Sequence, residues 1–386
     1  MPGDIAISGV RILLIDDDPE FCSLLNDYLE LNSISLTCAH DGQSGLDILD
    51  RRAFDLILLD MFLPDINGLD VLRRIRRMQS PPVVMLSAHN EETDRIIALE
   101  IGADDYVPKA FSPRELREID PAHNAGIHVV PQLMGHCAED FLWMAGRLAD
   151  MGYDEVNFNL GCPSNTVTAK KKGAGLLTEP DLLRRFFDAV FAACPLPVSV
   201  KTRLGKTTAE TFPALLELYN DYPICELIVH PRVQADQYHG HPDLDMFAYA
   251  LAHSRAPVCY NGDLFDAPAV HAFQARFPAV ERIMLGRGLA ANPGLIGQLR
   301  TGKAPTAAQL QLFHDRLYAA TRARIPDRRA LLFRMKEAWR YLGCSFADAE
   351  RPLRRIRKAQ DMIEYESAVR QLFASCPVRE NAGYFV

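Results

Sequence analysis

The chain has 386 residues, of which 48% are hydrophobic and 24% charged; this excludes a single small module and a disordered polymer, and predicts two or three domains with packed cores. Its formal charge of −8 is unevenly held: residues 1–118 carry 11 Lys and Arg against 22 Asp and Glu, whereas residues 300–386 carry 17 against 9. An acidic head and a basic tail predict different partners, the tail being suited to a polyanion. No basic stretch followed by an apolar core opens the chain, and apolar runs such as "FDLILLDMFLPD" are broken by Asp well short of the roughly 18 residues a membrane span needs. The nine cysteines form no CxxC pair, which argues against a zinc ribbon and a disulfide framework. A cytoplasmic protein without a membrane partner is expected, its single thiols free for chemistry.

In the head, "RILLID" (11–16) and "FDLILLD" (54–60) are apolar runs of strand length ending in aspartate, and "PPVVMLSA" and "DDYVPK" read as further strands separated by helical-period stretches. Such alternation predicts a parallel sheet covered on both faces, with its site beyond the carboxyl ends of the strands. That rule gathers Asp16, Asp17, Asp60, Ser87 and Lys109. One strand-end Asp can be a mere helix cap, but three carboxylates together repel unless a hard cation such as Mg²⁺ lies among them. Asp60 is the expected nucleophile toward phosphorus, and Ser87 and Lys109 the groups that stabilise the phosphoryl oxygens.

These motifs, "LLIDDDP", "LLDMFLPDINGLDVL", "MLSA" and "DDYVPKAF", resemble a response-regulator receiver domain over residues 11–118. The resemblance implies a flavodoxin-like fold for residues 1–119. It also implies Asp60 as phosphoacceptor, Mg²⁺ at Asp16, Asp17 and Asp60, Tyr106 as a switch aromatic, and a sensor histidine kinase as partner. One departure is Ala110, which follows Lys109 where the family usually has proline.

From residue 126 onward, strand candidates recur at "IHVVPQLM", "EVNFNLG", "PVSVKTRLG", "CELIVHPR", "APVCYNGD" and "ERIMLGRG", each followed by a polar turn and a helical pattern. Polar residues gathered just after each strand predict a (β/α) TIM-type barrel with its site at the carboxyl face. Six units are present, not eight. The last two offer Asn261, Gly262 and Asp263, then Gly286, Arg287 and Gly288, where barrels commonly hold phosphate. Lys201 and Arg287 add positive charge, and Gln132 can donate to and accept from a flat heterocycle. Flavin mononucleotide is the ligand this order suggests. In "FNLGCPSNTVTAKKKGAGLL", Cys162 stands at a strand end before Pro163. A thiol with an ordinary pKa of about 8.5 is protonated at neutral pH and can act as a general acid beside a hydride donor. Most of the other eight cysteines read as buried and structural.

Here the chain resembles bacterial tRNA-dihydrouridine synthases: "QLMG", "NLGCPS..V.....GAGLL", "VSVKTRLG", "VHPR", "YNGDL" and "MLGRGLAANP" follow in the family's order over residues 129–297. The resemblance implies hydride delivery from reduced FMN to carbon 6 of uracil and protonation of carbon 5 by Cys162, with NADPH reducing the flavin. It further implies FMN contacts from Gln132, Lys201, His230, Asn261, Gly262, Asp263, Gly286 and Arg287. "VHPR" departs from the commoner His-Gly-Arg.

The tail contains three amphipathic helical patterns with a cationic face, expected to form a bundle over residues 303–386. In the family such a domain grips tRNA, which implies phosphate contacts by Arg328, Arg329, Lys336, Arg354, Arg355 and Arg357 and salt-dependent affinity. The target uridine must also leave its stack.

At the seam, "SPRELREI" begins a receiver's last helix, "DPAHNAG" breaks it, and "IHVVPQLMG" already resembles the third strand of a synthase barrel. The resemblance implies that the family's first two βα units, including its Pro-Met loop that contacts the flavin, are missing, so residues 120–302 are expected to form an incomplete barrel with two open edges and impaired activity. Two other readings are a phosphorelay protein with a dead or RNA-binding barrel as output, and a flavin reductase of free pyrimidines, against which the basic tail argues.

Overall fold

The apolar runs of the head form five parallel strands, β1 (Arg11–Ile15), β2 (Ser35–Ala39), β3 (Leu56–Asp60), β4 (Val83–Ser87) and β5 (Asp105–Pro108), ordered β2-β1-β3-β4-β5. The computed structural model describes residues 10–30, 34–78, 81–87, 92–108, 119–325 and 327–384, and the chain divides into two units, 1–129 and 130–386. Side chains alternate across the sheet of the first unit. Leu13, Ile15, Ile57, Leu59, Val83 and Met85 pack with Leu46, Leu72 and Ile75 on one face, while Leu14 and Leu86 pack with Cys22 on the other. Covering both faces explains the continuous apolar runs. The strand order and helical cover are those of a flavodoxin-like domain.

Among the described residues of this unit, four α-helices cover the sheet: Pro19–Glu30, Gly42–Leu49, Gly68–Met78 and Glu92–Ile101. The second starts where the Asp41 carboxylate accepts from the Ser44 N–H at 2.7 Å. Gly68 approaches the end of β3 so closely that a Cβ there would lie 2.1 Å from the Asp60 carbonyl oxygen. Only glycine fits at that point. The expected last helix, residues 112–118, lies outside the described residues, as do Lys109 and Ala110. At the seam "DPAHNAG" forms one 3₁₀ turn, Pro121–Asn124, with the Asp120 carboxylate accepting from the Ala122 N–H.

In the second unit six parallel strands follow each other in chain order: β6 (Gln132–Leu133), β7 (Val156–Leu160), β8 (Val198–Arg203), β9 (Leu227–His230), β10 (Val258–Asn261) and β11 (Arg282–Met284). A closed barrel would pair β11 with β6; among the described residues these two strands are the sheet's edges. The expected strand "IHVVPQLM" is cut to Gln132 and Leu133, which stand in register with Asn157 and Phe158 of β7. With no strand on its other side, the segment before Pro131 has no ladder to join.

Helices Ala138–Asp150, Pro180–Ala193, Phe212–Asn220, Leu244–His253 and Ala267–Arg276 link the strands. Phe158 in β7 stacks on Phe186 at 4.5 Å and meets Phe141 and Phe187 edge-on at 5.5 and 6.0 Å, joining the strand to two helices. Four further helices, Ala307–Arg324, Arg328–Leu342, Glu350–Lys358 and Met362–Ser375, bury Met335, Trp339, Phe346, Ile356, Tyr365 and Leu372 against each other. Their buried polar groups are partnered: the Tyr365 hydroxyl accepts from Trp339 Nε1 at 2.9 Å and lies 2.9 Å from His314 Nε2. No helix among the described residues is long and apolar enough to cross a membrane.

Phe158 is fully buried, so Phe158→Ala leaves a cavity between β7 and two helices. We expect it to cost about 3–5 kcal/mol in urea unfolding of the second unit and to leave the transition of the first unit unchanged.

Candidate functional site

The pleat of β7 and β8 sorts side chains by chemistry. Val156, Phe158, Leu160, Val198 and Val200 are buried on one face, and Asn157, Asn159, Ser199, Lys201 and Arg203, three of them also buried, alternate with them and belong to the opposite face. On that face the amides join across strands. Gln132 Nε2 donates to Asn157 Oδ1 at 2.7 Å, Asn157 Nδ2 donates to Ser199 Oγ at 2.8 Å, and Asn159 Nδ2 donates to Gln132 Oε1 at 2.6 Å. A polar ladder of this kind presents donors and acceptors to a flat heteroaromatic ligand.

Cys162 follows the end of β7 and its backbone is held from three sides. Asn159 Oδ1 accepts from the N–H groups of Gly161 and Cys162 at 2.9 and 3.0 Å, and the buried Arg203 donates through Nε to the Gly161 carbonyl at 3.0 Å. The Cys162 carbonyl accepts from the Ala174 N–H at 3.1 Å. Gly173, at φ +54, packs directly on the cysteine, since a Cβ there would lie 2.8 Å from Cys162 Cβ. The "KKKGAG" turn therefore covers the thiol's backbone and brings Lys171 and Lys172 close enough to His136 to lower its pKa, after the larger effect of burial.

Cations gather along the carboxyl ends of β8 to β11. Burial, then repulsion from Arg203, pushes the Lys201 ammonium down to about 8, while Cys259 and then Cys162 act in the other direction. His230 is driven down to about 3 by burial, then by Arg203, Lys201 and Arg232, so the ring is neutral near pH 7. Asn261 Nδ2 donates to the Met284 carbonyl at 2.9 Å, which turns its Oδ1 toward His230 Nδ1 at 3.3 Å. His230 then donates from Nδ1 and its Nε2 accepts from Arg232 Nη1 at 3.4 Å. Asp263 accepts from Arg232 Nη1 at 3.0 Å and from Arg287 Nη2 at 3.1 Å, and it also forms an ion pair with Arg232 Nη2. One carboxylate between two guanidinium groups leaves a net positive corner suited to an anion.

The sequence-derived residues of this unit thus lie at successive strand ends. Gln132 is joined to Asn159, His230 to Asn261, and Asp263 to Arg287. Gly262 packs on the Tyr260 hydroxyl, where a Cβ would approach to 2.5 Å, and Gly286 faces open space. Sequence reasoning missed Asn157, Asn159, Arg203 and Arg232. Period-two alternation in "VNFNL" and "VSVKTR" marks the first three, but Arg232 is recognisable only through its contacts.

In the first unit one carboxylate oxygen each from Asp16, Asp17 and Asp60 lies within 4.8 Å of the others. Asp16 and Asp60 are buried and Asp17 is exposed. An all-oxygen, triply acidic set fits a hard divalent cation such as Mg²⁺. The Ser87 side chain and Lys109 lie outside the described residues, and Tyr106, within β5, is buried in the core. In the helical segment Arg328, Arg329, Arg354, Arg355 and Arg357 are exposed, whereas Lys336 is half-buried and donates from Nζ to the Ala359 carbonyl. Arg354, Arg355 and Lys358 line a surface cleft of ≈ 480 Å³ with Ile363 and Ser367.

His230 has a pKa of about 3 in the folded chain against 6.5 when unperturbed, so below pH 6.5 the unfolded chain binds more protons. The stability its neutral ring contributes is fully present above pH 6.5 and is lost as pH falls toward 3. Thermal unfolding followed across pH 4–7 is expected to show a steeper acid loss for the wild-type second unit than for His230→Gln.

Residues 110–373 match the family model of dihydrouridine synthase (Dus), and residues 12–119 match that of the response regulator receiver domain. The transcriptional regulatory protein CpxR of Escherichia coli (strain K12) is 49% identical over 106 residues, 28% of this chain and 45% of that protein. The transcriptional activator protein PfeR of Pseudomonas aeruginosa is 44% identical over 112 residues, 29% of this chain and 37% of that protein. The chain thus spans less than half the length of these relatives, both matched over its first part. Among solved structures, the Francisella response regulator 1452 receiver domain is 32% identical with a TM-score of 0.26, covering 28% of this chain and 89% of that one. The BeF3-activated receiver domain of Klebsiella pneumoniae RstA is 30% identical with a TM-score of 0.26, covering 30% and 98%. Since the synthase match takes in more than half of the chain, the chain belongs to the dihydrouridine synthase family, whose members depend on a flavin, and it carries a response-regulator receiver domain in front.

Proposed function

We propose that the second unit reduces uridine to 5,6-dihydrouridine in tRNA, with FMN as cofactor and NADPH as its reductant. The observation that supports this best is the fixed Cys162 loop beside a row of amides, a neutral imidazole and a net positive corner. Reduced FMN, once bound, supplies hydride to carbon 6 of the uracil. Cys162 holds the proton for carbon 5, and the Asn159 and Arg203 contacts fix where that thiol stands. Gln132 and Lys201 present hydrogen-bond donors to the heterocycle, His230 orients Asn261, and Arg287 offers the phosphate a guanidinium fork. Residues 120–302 would form this catalytic part. Residues 303–386 would grip tRNA phosphates through Arg328, Arg329, Arg354, Arg355 and Arg357, with Lys336 set mainly to close the end of the helix Glu350–Lys358. An unmodified tRNA transcript incubated with FMN and NADPH should gain two hydrogens at uridine. Cys162→Ala should slow that gain by ~10² or more while FMN binding stays within about twofold. Loss of FMN binding in that variant, or an unchanged rate, would count against the assignment.

The first unit is proposed as a phosphoacceptor at Asp60, with Mg²⁺ held by Asp16, Asp17 and Asp60 and with a sensor histidine kinase as donor. Incubation with acetyl phosphate and Mg²⁺ should add one acid-stable, base-labile phosphoryl group that Asp60→Asn removes. A modified Asp60→Asn protein would place the acceptor elsewhere.

One observation favours a second reading, in which the unit binds RNA without reducing it: β6 and β11 are edges, so a flavin would lack part of its wall. Failure of the wild-type protein to take up FMN, together with salt-dependent tRNA binding, would select that reading.

A further inference from the structure

The last described residues do more than finish the helical segment. Asn292 and Gln298 are buried polar side chains just beyond the Gly286–Gly288 turn, and both spend an amide on the chain's end. Asn292 Nδ2 donates to the Ala382 carbonyl at 3.3 Å and Gln298 Nε2 donates to the Glu380 carbonyl at 2.8 Å. A buried amide left without such a partner costs free energy, so these two bonds specify where residues 380–382 dock. Ala382 is fully buried there. At Gly383 a Cβ would lie 2.8 Å from the Phe265 carbonyl oxygen, so a glycine lets the backbone press against the loop after β10.

This route delivers Tyr384 to the positive corner. Its ring lies 5.6 Å from that of Phe265 and 5.6 Å from that of Tyr341 in the helix Arg328–Leu342. The Arg287 guanidinium carbon is 5.3 Å from the Tyr384 centroid, 4.9 Å from Phe265 and 4.7 Å from Tyr238. Three aromatic faces restrict a long side chain that otherwise loses considerable rotamer entropy on binding, and its Nη2 donates to Asp263 at 3.1 Å. A pre-ordered guanidinium binds an anion more tightly than a mobile one.

We infer that residues 380–384 form a strap whose Tyr384 positions Arg287 for an anionic ligand, so that the far end of the helical segment sets the strength of the phosphate corner. That the anion is the phosphate of FMN rests on the function proposed above; the strap itself does not. The test uses the full chain and its Tyr384→Ala and Tyr384→Phe variants, with two readouts. Peptide mapping after phenylglyoxal treatment gives the modification rate of Arg287, and titration compares FMN with riboflavin, which lacks the phosphate. Tyr384→Ala should raise the Arg287 modification rate and weaken FMN by about tenfold, while riboflavin affinity moves by less than about twofold and Tyr384→Phe, which keeps a ring, stays near wild type. An unchanged Arg287 modification rate overturns the strap, and so does an equal loss for FMN and riboflavin, which signals general damage. If wild-type protein binds FMN no better than riboflavin, or binds neither, the flavin-phosphate reading falls and the Arg287 modification rate alone decides the strap.

Discussion

The second unit depends on the two-residue period of its strands. In β7 and β8 one set of side chains, Val156, Phe158, Val198 and Val200, must enter the layer between sheet and helices, and the pleat then forces Asn157, Asn159, Ser199, Lys201 and Arg203 onto the other face. A shift of one residue would bury amides and cations among aromatic rings and expose phenylalanine. The aromatic packing therefore fixes register, and register fixes the functional face. Asn159 shows the coupling most directly: its place in β7 is set by its apolar neighbours, while its side chain sets the backbone on which Cys162 stands.

Charge follows the same plan with a different balance. Lys201 and Arg203 of β8, Arg232 after β9 and Arg287 after β11 gather at the same end of the sheet, and Asp263 bridges two of them. Burial costs these cations their water, which is why Lys201 loses proton affinity and His230 remains neutral. An anionic ligand would restore the missing counter-charge, so the arrangement favours binding over stability. The helical segment reaches this corner as well: Ser345 Oγ donates to the Ala291 carbonyl at 2.6 Å, and Tyr384 lies against Arg287. The helical segment thus meets the strand-end region through these two contacts.

The first unit solves a separate problem with the same parallel-sheet logic. Its carboxylates are brought within 4.8 Å because β1 and β3 are neighbours and both end at the same edge of the sheet. Gly68 allows the loop after β3 to fold back on Asp60. The two units are cut from two architectures, and each keeps the strand ends on which its chemistry depends.

Much of this was legible in the sequence because it is local. Apolar runs with polar ends marked β1, β3 to β5 and β7 to β10 to within a residue or two, whereas β11 stops at Met284, four residues short of the end of "ERIMLGRG"; the residues at or just after those ends named Asp16, Asp60, Cys162, Asn261 and Arg287. The edge strand β2, "SLTCA", passed unmarked because Ser and Thr dilute its apolar signal, and β6 proved shorter than "IHVVPQLM" suggested because an edge segment without a neighbour has no ladder to extend it. Only the tertiary structure decided which groups meet. Arg232 joins Asp263 across 31 positions, Arg203 holds Gly161 across 42, and Asn292 holds Ala382 across 90. Such pairings leave no periodic trace in the chain, since the requirement that buried polar groups find partners is met in space and not along the sequence.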